Sequence, residues 1–219
     1  MRLFVDTADY DEIKTAVGWG VISGVTTNPT LIARAGQDHE TQVKRICDLV
    51  GDVSAETVTE KKDDLVVEGR RIAAWHKNVI VKVACTPDGL AAGKVLAGEG
   101  IKINVTLCFT VNQALLAAEI GAYFVSPFVG RLDDIGEDGI AVVRGIVDAY
   151  RQQSITTKVL SASLRHPMHV TQSALAGADI ATMPFKVLEQ MYKHPLTDAG
   201  IERFMADHRK TQEAQPVRR

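Results

Sequence analysis

The sequence predicts an α/β chain folded as a single-domain (β/α)8 TIM barrel with an extra C-terminal helix. Three observations carry that expectation. Eight short apolar runs of β type recur along the 219 residues. Segments with helical apolar spacing lie between them. Dividing the chain by eight gives about 27 residues per strand–helix unit, enough to close a small barrel. Alternation at that period implies right-handed crossovers and a parallel sheet. A doubly wound open sheet is the rival, but it usually has fewer strands and a glycine-rich first turn, and no GxGxxG follows Val5.

The runs are apolar at nearly every position, as suits strands buried on both faces. The first is Leu3-Phe4-Val5, ending at Asp6. Gly24-Val25 leads into Thr26-Thr27-Asn28, Val53-Ser54-Ala55 into Glu56, and Val79-Ile80-Val81 into Lys82. Ile103-Asn104-Val105 ends at Thr106, and Tyr123-Phe124-Val125 at Ser126. Val159-Leu160-Ser161-Ala162 runs into Ser163, and Asp179-Ile180-Ala181-Thr182 towards Pro184.

Helical stripes fall between these runs. Val43, Ile46, Cys47 and Val50 follow the i, i+3, i+4, i+7 pattern, and Ile140, Val143, Val147 and Tyr150 keep a similar one. Asp9 with Glu12 resembles a capping box, and Thr86-Pro87 supplies an N-cap followed by proline at the first helical position. Gly100 and Gly121 stand where helices should stop before the next strand. The last helix is expected over Leu196–His208. The barrel domain is thus predicted over 1–208, and the charged stretch 209–219, with one valine and a proline, is expected to be a frayed, disordered tail.

Composition limits function. A net charge of −2 without a basic block disfavours general nucleic-acid or membrane-surface binding. No stretch approaches a membrane span, and the N-terminus meets acidic residues too early for a signal peptide. Cys47, Cys85 and Cys108 are odd in number and lack CxxC spacing, so free thiols in a reducing compartment, the cytoplasm, are expected.

In such a barrel the reactive groups stand at the C-terminal strand ends and on the following loops. Asp6, Asn28, Glu56, Lys82, Asn104, Thr106, Ser126 and Ser163 would then share one mouth, with Arg131 and Arg165 just beyond two strands. Lys82 is the sharpest of these, because it interrupts Val79-Ile80-Val81-Lys82-Val83. Burial favours the neutral amine, a nucleophile toward carbonyls. A strand-end lysine snorkelling to solvent is the competing reading. Glu56 and Asp6 on neighbouring strand ends favour chemistry, since an imine needs proton donors and acceptors nearby. Arg131 and Arg165 can bind an oxyanion through paired hydrogen bonds. Asp133 and Asp134 offer Arg131 an ordinary salt bridge instead. His166 and His169 lack a carboxylate or cysteine cluster, so no metal is expected. Cys85 reads as a small buried filler.

The strings DTA, GVTTNPTLI, SAE, VIVKV, INVTLCFT, YFVSPFVGRLDDIG, SASLRHPMHV and ADIATMPFKVL resemble the short single-domain branch of the transaldolase/fructose-6-phosphate aldolase family, in order from about residue 2 to 208. The resemblance implies a class I Schiff-base transferase of the pentose phosphate pathway, with no cofactor. It would move a dihydroxyacetone unit from a ketose phosphate, such as sedoheptulose 7-phosphate or fructose 6-phosphate, to an aldose phosphate. Lys82 matches the Schiff-base lysine, and Asp6 the acid/base that takes the C4 hydroxyl proton. Glu56 and Thr106 match the pair that positions the water of imine formation and opening. Asn28, Asn104 and Ser126 match positions that hold the dihydroxyacetone hydroxyls. Arg131, Ser163 and Arg165 match the phosphate site, and Phe128 lines the pocket.

The aldolase relatives, which cleave without transfer, carry glutamine and tyrosine where this chain has Glu56 and Phe128, so transfer is the expected outcome. After Lys82 the chain reads VACTPDGL, where short-branch members more often place a proline and a methionine before the threonine. A sulfonated sugar would suit the same anion site. A catalytically silent sugar-phosphate sensor would be expected to lose the lysine or its partners, and all are present. The resemblance also implies a homo-oligomer, with the Leu196–His208 helix as a packing element.

Overall fold

The computed structural model describes residues 1–214. Among them eight strands form one closed parallel barrel in sequence order. The strands are Arg2–Asp6 (β1), Gly24–Thr26 (β2), Asp52–Glu56 (β3), Val79–Ala84 (β4), Ile103–Cys108 (β5), Phe124–Pro127 (β6), Lys158–Ser161 (β7) and Ile180–Met183 (β8). The pairing of β1 with β8 closes the ring. All eight predicted runs are strands, and the open-sheet rival is excluded.

The helices are Tyr10–Gly18 (α1), Pro29–Ala35 (α2), His39–Cys47 (α3), Lys62–Ala73 (α4), Pro87–Gly98 (α5), Val111–Glu119 (α6), Val129–Asp133 (α7), Gly139–Gln152 (α8), Pro167–Leu175 (α9), Phe185–Tyr192 (α10) and Pro195–Ala214 (α11). Both predicted stripes are buried against the sheet. Thr86 caps α5 by accepting from the Gly89 amide. Gly100 and Gly121 take left-handed backbone, with φ of 82° and 80°. Asp9 caps α1 through the Asp11 and Glu12 amides, but the reciprocal half of the box is absent. The Glu12 carboxylate instead accepts from the Thr7 hydroxyl at 2.6 Å, and Thr7 Oγ1 takes the Asp9 amide.

Two apolar layers hold the barrel. Outward residues such as Val5, Val53, Val81 and Val125 pack under the helices, while Phe4, Ile80, Phe124, Leu160 and Ile180 fill the interior. Each such fully buried side chain contributes roughly 1.5–3 kcal/mol relative to exposure. The inner layer plugs the lower half of the barrel and leaves the C-terminal end free for polar groups.

The last helix differs from its prediction. α11 continues past His208 to Ala214, so the frayed stretch does not begin at Arg209. The reading relied on scarce apolar residues, whereas Arg209, Lys210, Gln212, Glu213 and Ala214 are mostly strong helix formers. The rest of the expected tail, 215–219, lies outside the described residues. Among the described residues no helix is long and apolar enough to cross a membrane.

Candidate active site

Strand register brings the reactive residues level. Asp6 pairs with Thr26, Glu56 with Lys82, and Lys82 with Asn104. Side chains alternate across a strand, so residues at one level with the same phase face the barrel interior together. Lys82 is only 5% exposed. Its Nζ lies 2.9 Å from Glu56 Oε2 and donates to the Thr27 carbonyl at 3.2 Å. The snorkelling alternative is therefore wrong: the amine stays inside, beside a carboxylate.

Asp6 faces the same space. Thr26 donates to its Oδ1 at 2.7 Å. Burial holds the Asp6 carboxyl above its ordinary value, against the opposing pull of the Lys82 charge and the Thr26 hydrogen bond. Thr106 is fully buried on β5, and its Oγ1 has no hydrogen-bond partner. A buried hydroxyl left open is costly unless something fills the gap, and water is the smallest occupant.

Asp6, Asn28, Lys82, Ser126, Phe128, Arg131 and Ser163 line one cavity of about 100 Å³. A second of about 400 Å³ continues outward past Glu56, Leu107, Phe128 and Arg131. Asn28 also caps α2 through the Leu31 amide at 3.0 Å, so its Oδ1 is already engaged. Asn104 sits beneath the cavity with both amide ends committed, accepting from Ser126 Oγ at 2.7 Å and donating to Ser54 Oγ at 3.1 Å.

The two arginines separate. Arg131 lines both cavities with its guanidinium over the Phe128 ring at 4.9 Å. Among the described residues no carboxylate pairs with it. Arg165 lines neither cavity, and its Nη2 lies 2.6 Å from Asp134 Oδ2 and 3.4 Å from the Gly130 carbonyl. Asp134, which the competing salt-bridge reading offered to Arg131, thus belongs to Arg165, and Asp133 contacts His169 Nε2 at 2.9 Å. Gly130 permits this close approach, since a Cβ there would strike the Ser163 carbonyl. Ser163 itself is left-handed at φ 60°.

His166 caps α9 by accepting from the His169 amide, and His169 Nδ1 accepts from the Arg165 amide. Burial and the neighbouring His166 hold the His169 imidazole below its usual range. Both rings are thus used to shape the loop. Cys85 is half-buried and burial raises its thiol pKa; Cys47 and Cys108 are pushed up to about 12.

Several cavity-lining residues escaped the sequence reading, Arg34 at the outer cavity among them. Thr26 and Thr182 line the inner cavity, and Leu107 lines the outer one. The threonines end strand runs, which was an available signal. Leu107 follows from a register shift between Val105 and Cys108 that sends it to φ 54°, which no sequence pattern announces.

A closed parallel barrel whose C-terminal mouth holds a buried, carboxylate-paired amine and a second, half-buried acid defines the class: this is a (β/α)8-barrel enzyme. The family model described as transaldolase/fructose-6-phosphate aldolase matches residues 3–217. A probable transaldolase of Roseiflexus sp. (strain RS-1) is 58% identical over 97% of this chain and 99% of its own. Probable transaldolases of Caldicellulosiruptor saccharolyticus and of Listeria monocytogenes serotype 4b (the latter named probable transaldolase 1) are 56% and 55% identical, over 96% and 94% of this chain and 98% and 97% of theirs. The chain belongs to the transaldolase/fructose-6-phosphate aldolase family.

Proposed function

We propose that this enzyme is a transaldolase that moves a dihydroxyacetone unit between sugar phosphates through an imine on Lys82. The observation that carries the reading is the buried Lys82 amine, 2.9 Å from Glu56 and facing Asp6. Lys82 Nζ attacks the C2 carbonyl of the ketose, and water departs to leave an iminium. Asp6 takes the C4 hydroxyl proton as the C3–C4 bond breaks. The electron pair of that bond enters the iminium, giving an enamine and a free aldose phosphate. The acceptor aldehyde then adds at C3, Asp6 returns its proton to the new C4 oxygen, and water reopens the iminium.

Glu56 and the unpartnered Thr106 hydroxyl suit the water that leaves and returns. Asn28 and Ser126 suit the dihydroxyacetone hydroxyls, with Asn104 orienting Ser126 from below. Arg131, free of a carboxylate among the described residues, and Ser163 suit the phosphate; Arg165 would have to leave Asp134 to join them. Phe128, with Phe109 edge-on at 5.8 Å, gives the mouth an apolar wall that helps keep water from the enamine. The three free cysteines fit a cytoplasmic setting.

Borohydride reduction with fructose 6-phosphate, with and without erythrose 4-phosphate, tests the reading. The expected result is a dihydroxyacetone adduct mapped to Lys82, and sedoheptulose 7-phosphate when the acceptor is added. Free dihydroxyacetone as the main product would mean aldol cleavage instead, and no adduct with this donor or other anionic ketoses would overturn imine chemistry. The chain also reads as a homo-oligomer. Leu196, Ile201, Phe204 and Met205 are all exposed on α11, and an apolar hollow between Trp19, Val21 and Tyr192 lies open on the same molecule. A helix with so little packing of its own gains its stability elsewhere, and a second copy offers the matching surface. Light scattering at micromolar concentration should give a multiple of the chain mass; a monomer would refute this.

A further inference from the structure

Among the described residues Asp6 receives one side-chain hydrogen bond, from Thr26 Oγ1 to Oδ1 at 2.7 Å. Thr26 Oγ1 lies in turn 2.7 Å from Thr182 Oγ1, and both threonines are buried. A hydroxyl has one proton, and an ionised carboxylate only accepts. The Thr26 proton is committed to Asp6, so the proton in the second contact comes from Thr182. The chain of bonds runs from Thr182 on β8 to Thr26 on β2 to Asp6 on β1, and β1 pairs with both outer strands.

We propose that Thr182 is a positioning residue: it sets the direction of the Thr26 O–H, which holds Asp6 Oδ1 as an acceptor and leaves Oδ2 for the substrate's C4 hydroxyl. This rests on Asp6 being the acid/base of the transaldolase reading. The threonines carry no proton through the reaction. The C4 proton passes to Oδ2 on cleavage and returns from it when the new bond forms. The charged groups facing Asp6 are Lys82 from β4 and Arg131 from α7, which favour the carboxylate, and Glu56 from β3, which opposes it. Losing Thr182 leaves Thr26 free to rotate away, and the carboxylate then keeps its burial without its donor.

The test compares Thr182→Val, Thr182→Ser and Thr26→Val by kcat and KM against pH, with Lys82 trapping by borohydride in each. Thr182→Val should move the acidic limb of kcat to higher pH by about half a unit, roughly a threefold loss along that limb. Thr26→Val should move it the same way by about one unit. Donor KM should stay within about twofold, adducts on Lys82 should persist, and Thr182→Ser should restore the limb. Should the valine variant not fold, Thr182→Ala carries the same expectation. An unmoved limb in a folded variant, an effect confined to KM, or failure of serine to restore would overturn the proposal. An unaltered chain that forms no Lys82 adduct would instead overturn the transaldolase reading, and this inference with it.

Discussion

The two ends of the barrel both carry charge, and they satisfy it to different degrees. At the base Arg2 lies 2.8 Å from Asp52 and Lys102 3.6 Å from the same carboxylate. Arg2 also donates to Ser23 and sits over Phe4, while Lys102 and Lys158 sit over Tyr123 at 4.7 and 4.9 Å. Each of these charges has a counterpart or a ring face. At the mouth Thr106 lacks a partner, Asp6 is half-buried with one hydroxyl for company, Arg131 is unpaired among the described residues, and Leu107 and Ser163 hold left-handed backbone, which at the base Ser154 alone shares among the described non-glycine residues. The apolar plug of Phe4, Ile80, Phe124, Leu160 and Ile180 keeps the ends apart. A fold stabilises itself by satisfying polar groups. Although the buried His39 Nε2 and Trp75 Nε1 also lack partners, the mouth gathers an open hydroxyl with a carboxyl and an unpaired guanidinium that line one cavity, a set that a ligand would complete.

If that contrast is right, the largest effects lie at the mouth. Lys82→Met should abolish borohydride trapping and lower transfer by about 10³-fold or more, because no other amine lines the inner cavity. Asp6→Asn should lower kcat by about 10²–10⁴-fold while the donor still traps on Lys82, since imine formation precedes the proton transfer that Asp6 performs. An Asp6→Asn enzyme that neither traps nor transfers would mean the carboxylate serves the imine step as well.

The barrel and its order of strands were readable because eight apolar runs ended in polar residues at a steady period, and a parallel sheet buried on both faces demands such runs. The same rule found Asp6, Glu56, Lys82 and Ser126, whose strand ends coincide with the layer above the plug. It was less able to separate residues that line the cavity from residues that support it. Asn104 pairs with Lys82 on one side and with Phe124 of the plug on the other, so it stands where the mouth layer meets the plug, a matter of register rather than composition. Arg165 was assigned with Arg131, yet Asp134 is close enough to engage it, and only the path of α7 decides which arginine that aspartate meets. Leu107 was invisible because the local backbone shift in β5 leaves no mark in hydropathy.

At the base the expectation is reversed: stability changes and activity does not. Asp52→Asn removes the carboxylate shared by Arg2 and Lys102 in a buried position, although Arg2 is partly solvated. A loss of about 1–2 kcal/mol follows, or a fall in Tm of roughly 3–6 °C for a chain of this size. Transfer kinetics at 25 °C should be unaltered. A kinetic defect without a stability defect would dissolve the distinction between the two ends.

The smallest effect is the sharpest probe of strain at the mouth. At an ordinary strand position glycine is less stable than alanine by about 0.5–1 kcal/mol, because the unfolded chain gains freedom. Leu107, at φ 54°, stands where any residue with a Cβ incurs a cost of about 1–2 kcal/mol that glycine escapes. Leu107→Ala loses the half-buried side chain and keeps the strain, whereas Leu107→Gly loses the side chain and relieves it. Thermal melts should therefore place the glycine variant above the alanine variant, inverting the usual order, with the glycine variant within about 3 °C of the parent. Both lose the apolar wall that Leu107 shares with Phe128 over Lys82, so both should release more free dihydroxyacetone per transfer. If alanine proves the more stable, the left-handed backbone at Leu107 costs little, and the mouth owes its character to unsatisfied polar groups alone.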